Sequence, residues 1–252
     1  MSHVILSLFP GIGLLDRAFE LEWPDACLVR GPDVLWGGDV RRFHAPLGVF
    51  DGIIGGPPCQ PFSRLVHMVR NNGYEPRHEN LIPDFERVIA EAQPAWFLME
   101  EVPAAPEPLV NGYIVRGQLF DNRWTGAEQH RVRRLSFGTQ DGRSMTPDVA
   151  LFDSQVWEPA VASDSRGRPV KMAPYRNGVL LEKPKKGTAK RSIAEMLRLQ
   201  GLPGDWLDEC PLTESGKRAA IGNGVPLPMG RAIARGIRRS LGLPIITEEA
   251  VS

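Results

Sequence analysis

Three short stretches of the chain carry residue types capable of covalent and acid–base chemistry. In Gly55-Gly56-Pro57-Pro58-Cys59-Gln60-Pro61-Phe62-Ser63 a cysteine is framed by prolines. Proline fixes φ and lacks an N–H, so Cys59 belongs to a stiff loop rather than to a helix or a strand ladder. A lone cysteine is ordinarily a small buried hydrophobe, a description that suits Cys27 and Cys210. Rigid presentation beside the polar Gln60 and Ser63 is what a nucleophile needs, together with a depressed thiol pKa. In Trp96-Phe97-Leu98-Met99-Glu100-Glu101-Val102-Pro103 two carboxylates end an apolar run. Strand side chains alternate faces, so Glu100 and Glu101 are expected to point in opposite directions, with Glu101 away from any site that Glu100 serves. They are either solvated acids at a strand end or include one buried acid able to donate a proton. In Gln129-His130-Arg131-Val132-Arg133-Arg134, alternate positions place Gln129, Arg131 and Arg133 on one face of a strand. That face is an exposed edge or a row of donors for phosphate and for the carbonyl of a base.

Elements must exist to hold these groups. His3–Phe9 reads as a strand, and the turn Pro10–Gly13 leads into a helix over Leu14–Leu21 with apolar residues at helical spacing. Phe50–Ile54 is a second strand, Leu81–Ala92 an amphipathic helix and Pro94–Glu101 a third strand. This rhythm predicts an α/β fold, a parallel sheet with helices on both faces. The glycines of Phe9-Pro10-Gly11-Ile12-Gly13 let the backbone approach a ligand at the first βα turn, where open sheets hold nucleotide-like cofactors; the absent third glycine argues against NAD. Thr139–Arg191 lacks a sustained period and is rich in Pro, Gly, Ser and basic residues. Helical periodicity returns at Ser192–Leu199 and at Leu227–Leu241, and Gly222-Asn223-Gly224-Val225-Pro226 reads as a glycine loop before the last helix.

The chain has 252 residues, 30 Lys+Arg against 30 Asp+Glu, and three cysteines. So few cysteines exclude a disulfide framework, and no CxxC pair marks a zinc site, so no metal is expected. The N-terminal apolar stretch is broken by Pro10, Gly11 and Gly13 and lacks a basic flank, so it is not a signal peptide. No run is long enough for a membrane span; the expectation is a cytoplasmic protein with no membrane partner. Zero net charge argues against a uniformly basic surface, yet the total conceals polarity. Ala160–Arg191 holds nine basic residues and two acids, whereas Arg77–Pro108 holds seven acids and two bases. Arg231, Arg235, Arg238 and Arg239 add a basic last helix.

In order and spacing these pieces resemble the DNA (cytosine-5)-methyltransferases. Phe9–Gly13 resembles the first, AdoMet-binding motif of that family, Pro57–Ser63 its Pro-Cys-Gln loop, and Phe97–Val102 its Glu-Asn-Val motif. Gln129–Arg133 fits its Q-x-R-x-R, Arg191–Trp206 its ninth motif, and Gly222–Pro226 its last. The resemblance implies a Rossmann-like AdoMet-dependent sheet over residues 1–138 and 215–252, with a small irregular target-recognition region at 139–214. It implies methyl transfer from S-adenosyl-L-methionine to C5 of a flipped-out cytosine in double-stranded DNA. Cys59 would add to C6, Glu100 would protonate N3, and Arg133 would contact O2 with Arg131 nearby. Phe9, Gly11, Gly13, Asp33, Asp39, Pro57, Asn223 and Val225 would hold the cofactor. Gln60, Ser63, Gln129, Lys183, Lys185 and Lys186 would meet DNA, and the last helix adds to that basic side. The chain is expected to be a monomer in a prokaryotic or phage-infected cell, solitary or paired with a cognate restriction endonuclease.

Three positions depart from the family pattern. Ser7 stands where the first motif usually has Asp, Glu101 where Asn usually follows the catalytic Glu, and the ribose-binding acid after the second strand is missing, with Asp33 as its candidate substitute. These departures keep two other readings open: the same chemistry on tRNA, and a DNA-binding protein of the same fold with impaired catalysis.

Overall fold

The structure, a computed structural model, describes residues 3–62, 79–150, 175–176, 179–180 and 191–245. Six strands form the central sheet: β1 (His3–Leu8), β2 (Ala26–Arg30), β3 (Gly52–Gly55), β4 (Trp96–Glu101), β5 (Ile114–Asp121) and β6 (Val132–Thr139), in the order β2-β1-β3-β4-β6-β5. The first four are parallel, and β3 and β4 are buried along their whole length, as strands covered on both faces must be. The last two correct the expectation of a parallel sheet: β6 runs antiparallel to both β4 and β5. β5 escaped the sequence reading because most of it faces water and its pattern, Ile-Val-Arg-Gly-Gln-Leu, is only weakly apolar. A second, two-stranded sheet joins β7 (Tyr175–Arg176) to β8 (Val179–Leu180).

Side-chain alternation along β4 divides the core. Trp96 and Leu98 point to one face, where Phe19 and Trp23 of α1 (Leu14–Glu22) and Ile233 and Ile237 of α5 (Leu227–Ser240) pack; the Trp23 and Trp96 rings stack with centroids 5.7 Å apart. Phe97 and Met99 point to the other, against Phe85, Val88 and Ile89 of α2 (Ile82–Ala92). A third cluster joins Leu14 to Met196, Leu197 and Leu199 of α3 (Ile193–Leu199) and to Ile221 of α4 (Glu214–Asn223). α3 begins with a capping box, Ser192 and Glu195 each bonding the other's backbone N–H. The stretch read as a glycine loop is therefore partly helix: α4 runs to Asn223, capped by Thr213 and anchored by Ile221, which overcomes the poor propensity of Gly216 and Gly222. Among the described residues no helix is long and apolar enough to cross a membrane.

The basic last helix is a second correction. Arg231 and Arg235 both pair with Glu22 of α1, Arg238 pairs with Asp25 and lies over the Trp23 ring, and Arg239 pairs with Asp148. Glu22 is 2% exposed. These arginines fasten α5 to α1 and to the segment after β6, so their charges are matched by acids within the fold rather than left as an unpaired basic face. Helix periodicity locates the polar positions but not the acids of distant elements that meet them.

Candidate active site

A cleft of about 1010 Å³ opens at the carboxyl ends of β1, β3 and β4, where parallel sheets present their loops. One wall is the turn after β1. Phe9, Gly11 and Gly13 all have positive φ (56°, 55° and 79°), a conformation that glycine adopts freely and Phe9 only under strain. Gly13 N–H donates to the Pro10 carbonyl at 2.8 Å, closing the turn. The Asp33 carboxylate accepts from Gly11 N–H and from Leu35 N–H, each at 2.7 Å, and the Trp36 indole N–H donates to the Gly11 carbonyl. Beneath the turn the Ser7 hydroxyl donates to Asp16 at 2.6 Å, and Arg30 Nε donates to the same carboxylate at 2.9 Å. Burial raises the Asp16 pKa, while the bonds from Ser7 and Arg30 oppose the rise. A carboxylate under the first motif is thus present after all, supplied from α1 instead of β1. The sequence reading missed it; the signal was an acid in the first turn of a helix directly after G-x-G.

The opposite wall carries the reactive groups. The loop after β3 brings Cys59 into the cleft, with Pro57 and Gln60 beside it. Gly56 runs close over β4: a Cβ there would lie 3.2 Å from Glu100 Oε2. Arg133 Nε sits 2.8 Å from Glu100 Oε1, both side chains largely buried. Burial pushes the Cys59 thiol up, Glu101 adds to the rise, Arg133 pulls it down, Glu100 raises it again and Arg131 lowers it. The net direction is upward, so the fold does not supply the depressed thiol that the nucleophile reading called for.

Glu101 departs from expectation. It lines the same cleft as Glu100, and its charge acts on Cys59 more strongly than that of Glu100. Alternation holds along β4, but the cleft lies beyond the strand's end and so collects groups from both faces. Glu101 is 1% exposed, its Oε2 accepts from Val102 N–H at 2.6 Å, and burial pushes its pKa up to about 8.

The Q-x-R-x-R residues do not share a strand face. β6 begins at Val132, so Gln129 and Arg131 precede it. Gln129 is fully buried and donates to the Leu199 carbonyl at 2.9 Å, away from the cleft. Arg131, also buried, borders the cleft but donates to the carbonyls of Gly222 (3.0 Å) and Asn223 (3.4 Å) at the end of α4, where a cation suits the helix dipole. Burial and the nearby Arg133 lower its pKa to about 9. Each long side chain of the motif thus binds a different element, and Arg133 alone meets Glu100. Asp39, Asn223 and Val225 also border the cleft; Asp39 holds Arg41 at 2.9 Å, which keeps its carboxylate ionised to lower pH than usual. Gly13 lies behind the turn, where a Cβ would meet Arg30 Nη2 at 2.8 Å. Ser63, Lys183, Lys185 and Lys186 lie outside the described residues.

Open space lies over Gly11, and the acids Asp33 and Asp39 stand at the rim, each oxygen able to accept a further bond. This donor and acceptor set fits a hydroxyl-bearing, nucleoside-like cofactor.

Comparison with known proteins gives the same frame. Residues 37–108, which include Asp39, Pro57, Cys59, Glu100 and Glu101, match the C-5 cytosine-specific DNA methylase family. The type II methyltransferase M1.HphI of Haemophilus parahaemolyticus is 32% identical over 111 residues, 38% of this chain and 29% of that protein. M.HgiDI of Herpetosiphon aurantiacus is likewise 32% identical over 111 residues, 40% of this chain and 33% of that protein. The chain thus spans about a third of the length of these relatives. M.NlaX of Neisseria lactamica aligns over 94% of this chain and 96% of its own length at 22% identity. Among solved structures, the Entamoeba histolytica methyltransferase EhMeth superposes with a TM-score of 0.64 at 12% identity, covering 96% of this chain and 99% of that one. A putative DNA modification methyltransferase encoded within an Escherichia coli prophage gives 0.57 at 18% identity, covering 96% and 100%.

Proposed function

We propose, for a chain that belongs to the C-5 cytosine-specific DNA methylase family, that it methylates C5 of cytosine in double-stranded DNA. The observation that carries this reading is one cleft holding Cys59, Glu100 and Arg133 on one wall and the G-x-G turn on the other. S-adenosyl-L-methionine, when bound by the turn, Asp33 and Asp39, supplies the methyl group. Cys59 Sγ forms a bond to C6 of the flipped base, its proton passing to water. Glu100 hands a proton to N3 and takes it back, and Arg133 both holds Glu100 and donates to O2. Once C5 carries the methyl group, loss of the C5 proton to water breaks the Sγ–C6 bond, restores the C5–C6 double bond and frees Cys59.

We assign the recognition element to the part of 139–214 that precedes α3, a reading supported by the packing of α3 with Leu14 and Ile221. A restriction endonuclease partner fits the type II names of the relatives. Cys59→Ala is expected to abolish methyl transfer from labelled S-adenosyl-L-methionine while leaving the circular dichroism unchanged, and the intact chain to form a covalent complex with duplex DNA containing 5-fluorocytosine. Retained transfer by Cys59→Ala overturns the reading. Transfer to total tRNA but not to duplex DNA replaces the substrate and keeps the chemistry.

A further inference from the structure

Glu101 is a second carboxyl in a cleft whose chemistry, as proposed above, uses only Glu100. Its surroundings differ from those of Glu100 in one respect. Glu100 has the Arg133 guanidinium at 2.8 Å. Glu101 has one bond, from the Val102 N–H, and no ion pair among the described residues; the Oε1 of each acid is buried without a hydrogen-bond partner. Among the described residues no cation pairs with it, and the Arg133 charge acts on Glu101 only as the weakest of the influences on its pKa. Arg134, its register partner on β6, reaches Glu107 and the Pro103 carbonyl instead. Arg131 is bound to the Gly222 and Asn223 carbonyls, and Arg133 to Glu100 and the Val132 carbonyl. The Cys59 thiol lines the same cleft, and of the neighbouring charges that of Glu101 acts on it most strongly.

We propose that Glu101 is a positioning residue that acts through Cys59: while it keeps its proton, the guanidinium groups of Arg131 and Arg133 can favour the thiolate, and once it ionises its charge opposes the thiolate. Two anions in one largely buried cleft repel more than the same pair in water. Deprotonation of Glu101 and of Cys59 is therefore mutually opposed, and the pair titrates as a unit, over a broader range than one isolated group. A carboxyl buried without a paired cation resists ionisation, and here burial raises Glu101 to about 8, with the Val102 N–H and the Arg133 charge opposing the rise only in part. This inference rests on Cys59 being the reacting thiol, but its test does not require methyl transfer.

The test is the rate of iodoacetamide alkylation at Cys59, followed by peptide-resolved mass spectrometry so that Cys27 and Cys210 are read separately, between pH 6.5 and 9.5. Neither DNA nor cofactor is added. In Glu101→Gln the profile is expected to steepen to a single titration and to move to lower pH by about half a unit or more, roughly threefold faster labelling near pH 8.5. Glu101→Asn is run beside it, with circular dichroism on both, so that a folding defect in one variant leaves the other. Glu22→Gln, which removes a buried acid far from the cleft, is the control. Profiles of folded Glu101→Gln and Glu101→Asn that superimpose on that of the unaltered chain overturn the proposal. A shift supports it whether or not methyl transfer is detected.

Discussion

Glu22 and Glu101 are equally hidden from water, at 2% and 1% exposure, and the fold treats them differently. Between α1 and α5, both oxygens of Glu22 are taken by Arg231 and Arg235, guanidinium groups more than two hundred positions away. At the end of β4, Glu101 receives one backbone N–H and nothing more from a side chain. A buried carboxylate with its charge matched is a fastening, whereas one left unmatched keeps its proton and can still exchange it. The contrast separates structural acids from chemical ones better than burial does.

The comparison can be tested by removing its members. The largest effect is expected from Arg133→Ala, which leaves Glu100 buried without its cation: methyl transfer should fall on the order of 10²–10³-fold. Single-turnover assays check it, and a loss below tenfold breaks the link between the pair and the reaction. Next comes Glu22→Ala. Its arginines remain about a third exposed, so the loss is about 2–3 kcal/mol, less than for a fully dry pair, or roughly 5–10 °C in Tm. The Cys59 alkylation profile should not move.

Glu101→Gln should change stability in a pH-dependent way. The fold raises this acid from 4.5 to about 8. An acid shifted up keeps its full stability below its unfolded value and loses stability as pH climbs through its folded one. The unaltered chain should therefore weaken relative to the variant between pH 5 and 9, by about 2 kcal/mol or more at the upper end. Urea melts at both pH values measure the gap, and a constant gap contradicts the assignment. Ser7→Ala is the smallest step, about 1 kcal/mol, because Asp16 keeps its bond from Arg30 when the hydroxyl is lost.

The sequence made some of this legible and hid the rest for identifiable reasons. Local patterns located β1, α1, α2, β4 and α5 within a few residues, because their apolar spacing reports which face is buried. Cys59 stood out because prolines leave a cysteine few other roles, and Glu100 because it ends an apolar strand. What stayed hidden depends on long-range geometry. Gln129 and Arg131 look like donors to a substrate until the carbonyls of Leu199 and Gly222, 70 and 91 positions away, are seen to take them. Asp16 reads as the polar end of an apolar run and is in fact the buried acceptor for Ser7. Glu101 was assigned to the far side by a rule that holds along a strand and lapses where the strand ends.

The seam between α1 and α5 also sets a schedule. α1 leaves the ribosome long before α5, so Glu22 waits for Arg231 and Arg235, and Phe19 and Trp23 for Ile233 and Ile237, all synthesised more than two hundred residues later. At ordinary translation rates of about 5–20 residues per second, that surface stays bare for roughly ten seconds or longer. A nascent chain of this protein therefore carries a half-covered aromatic patch and an unanswered buried-to-be acid until α5 emerges, the state that holdase chaperones bind.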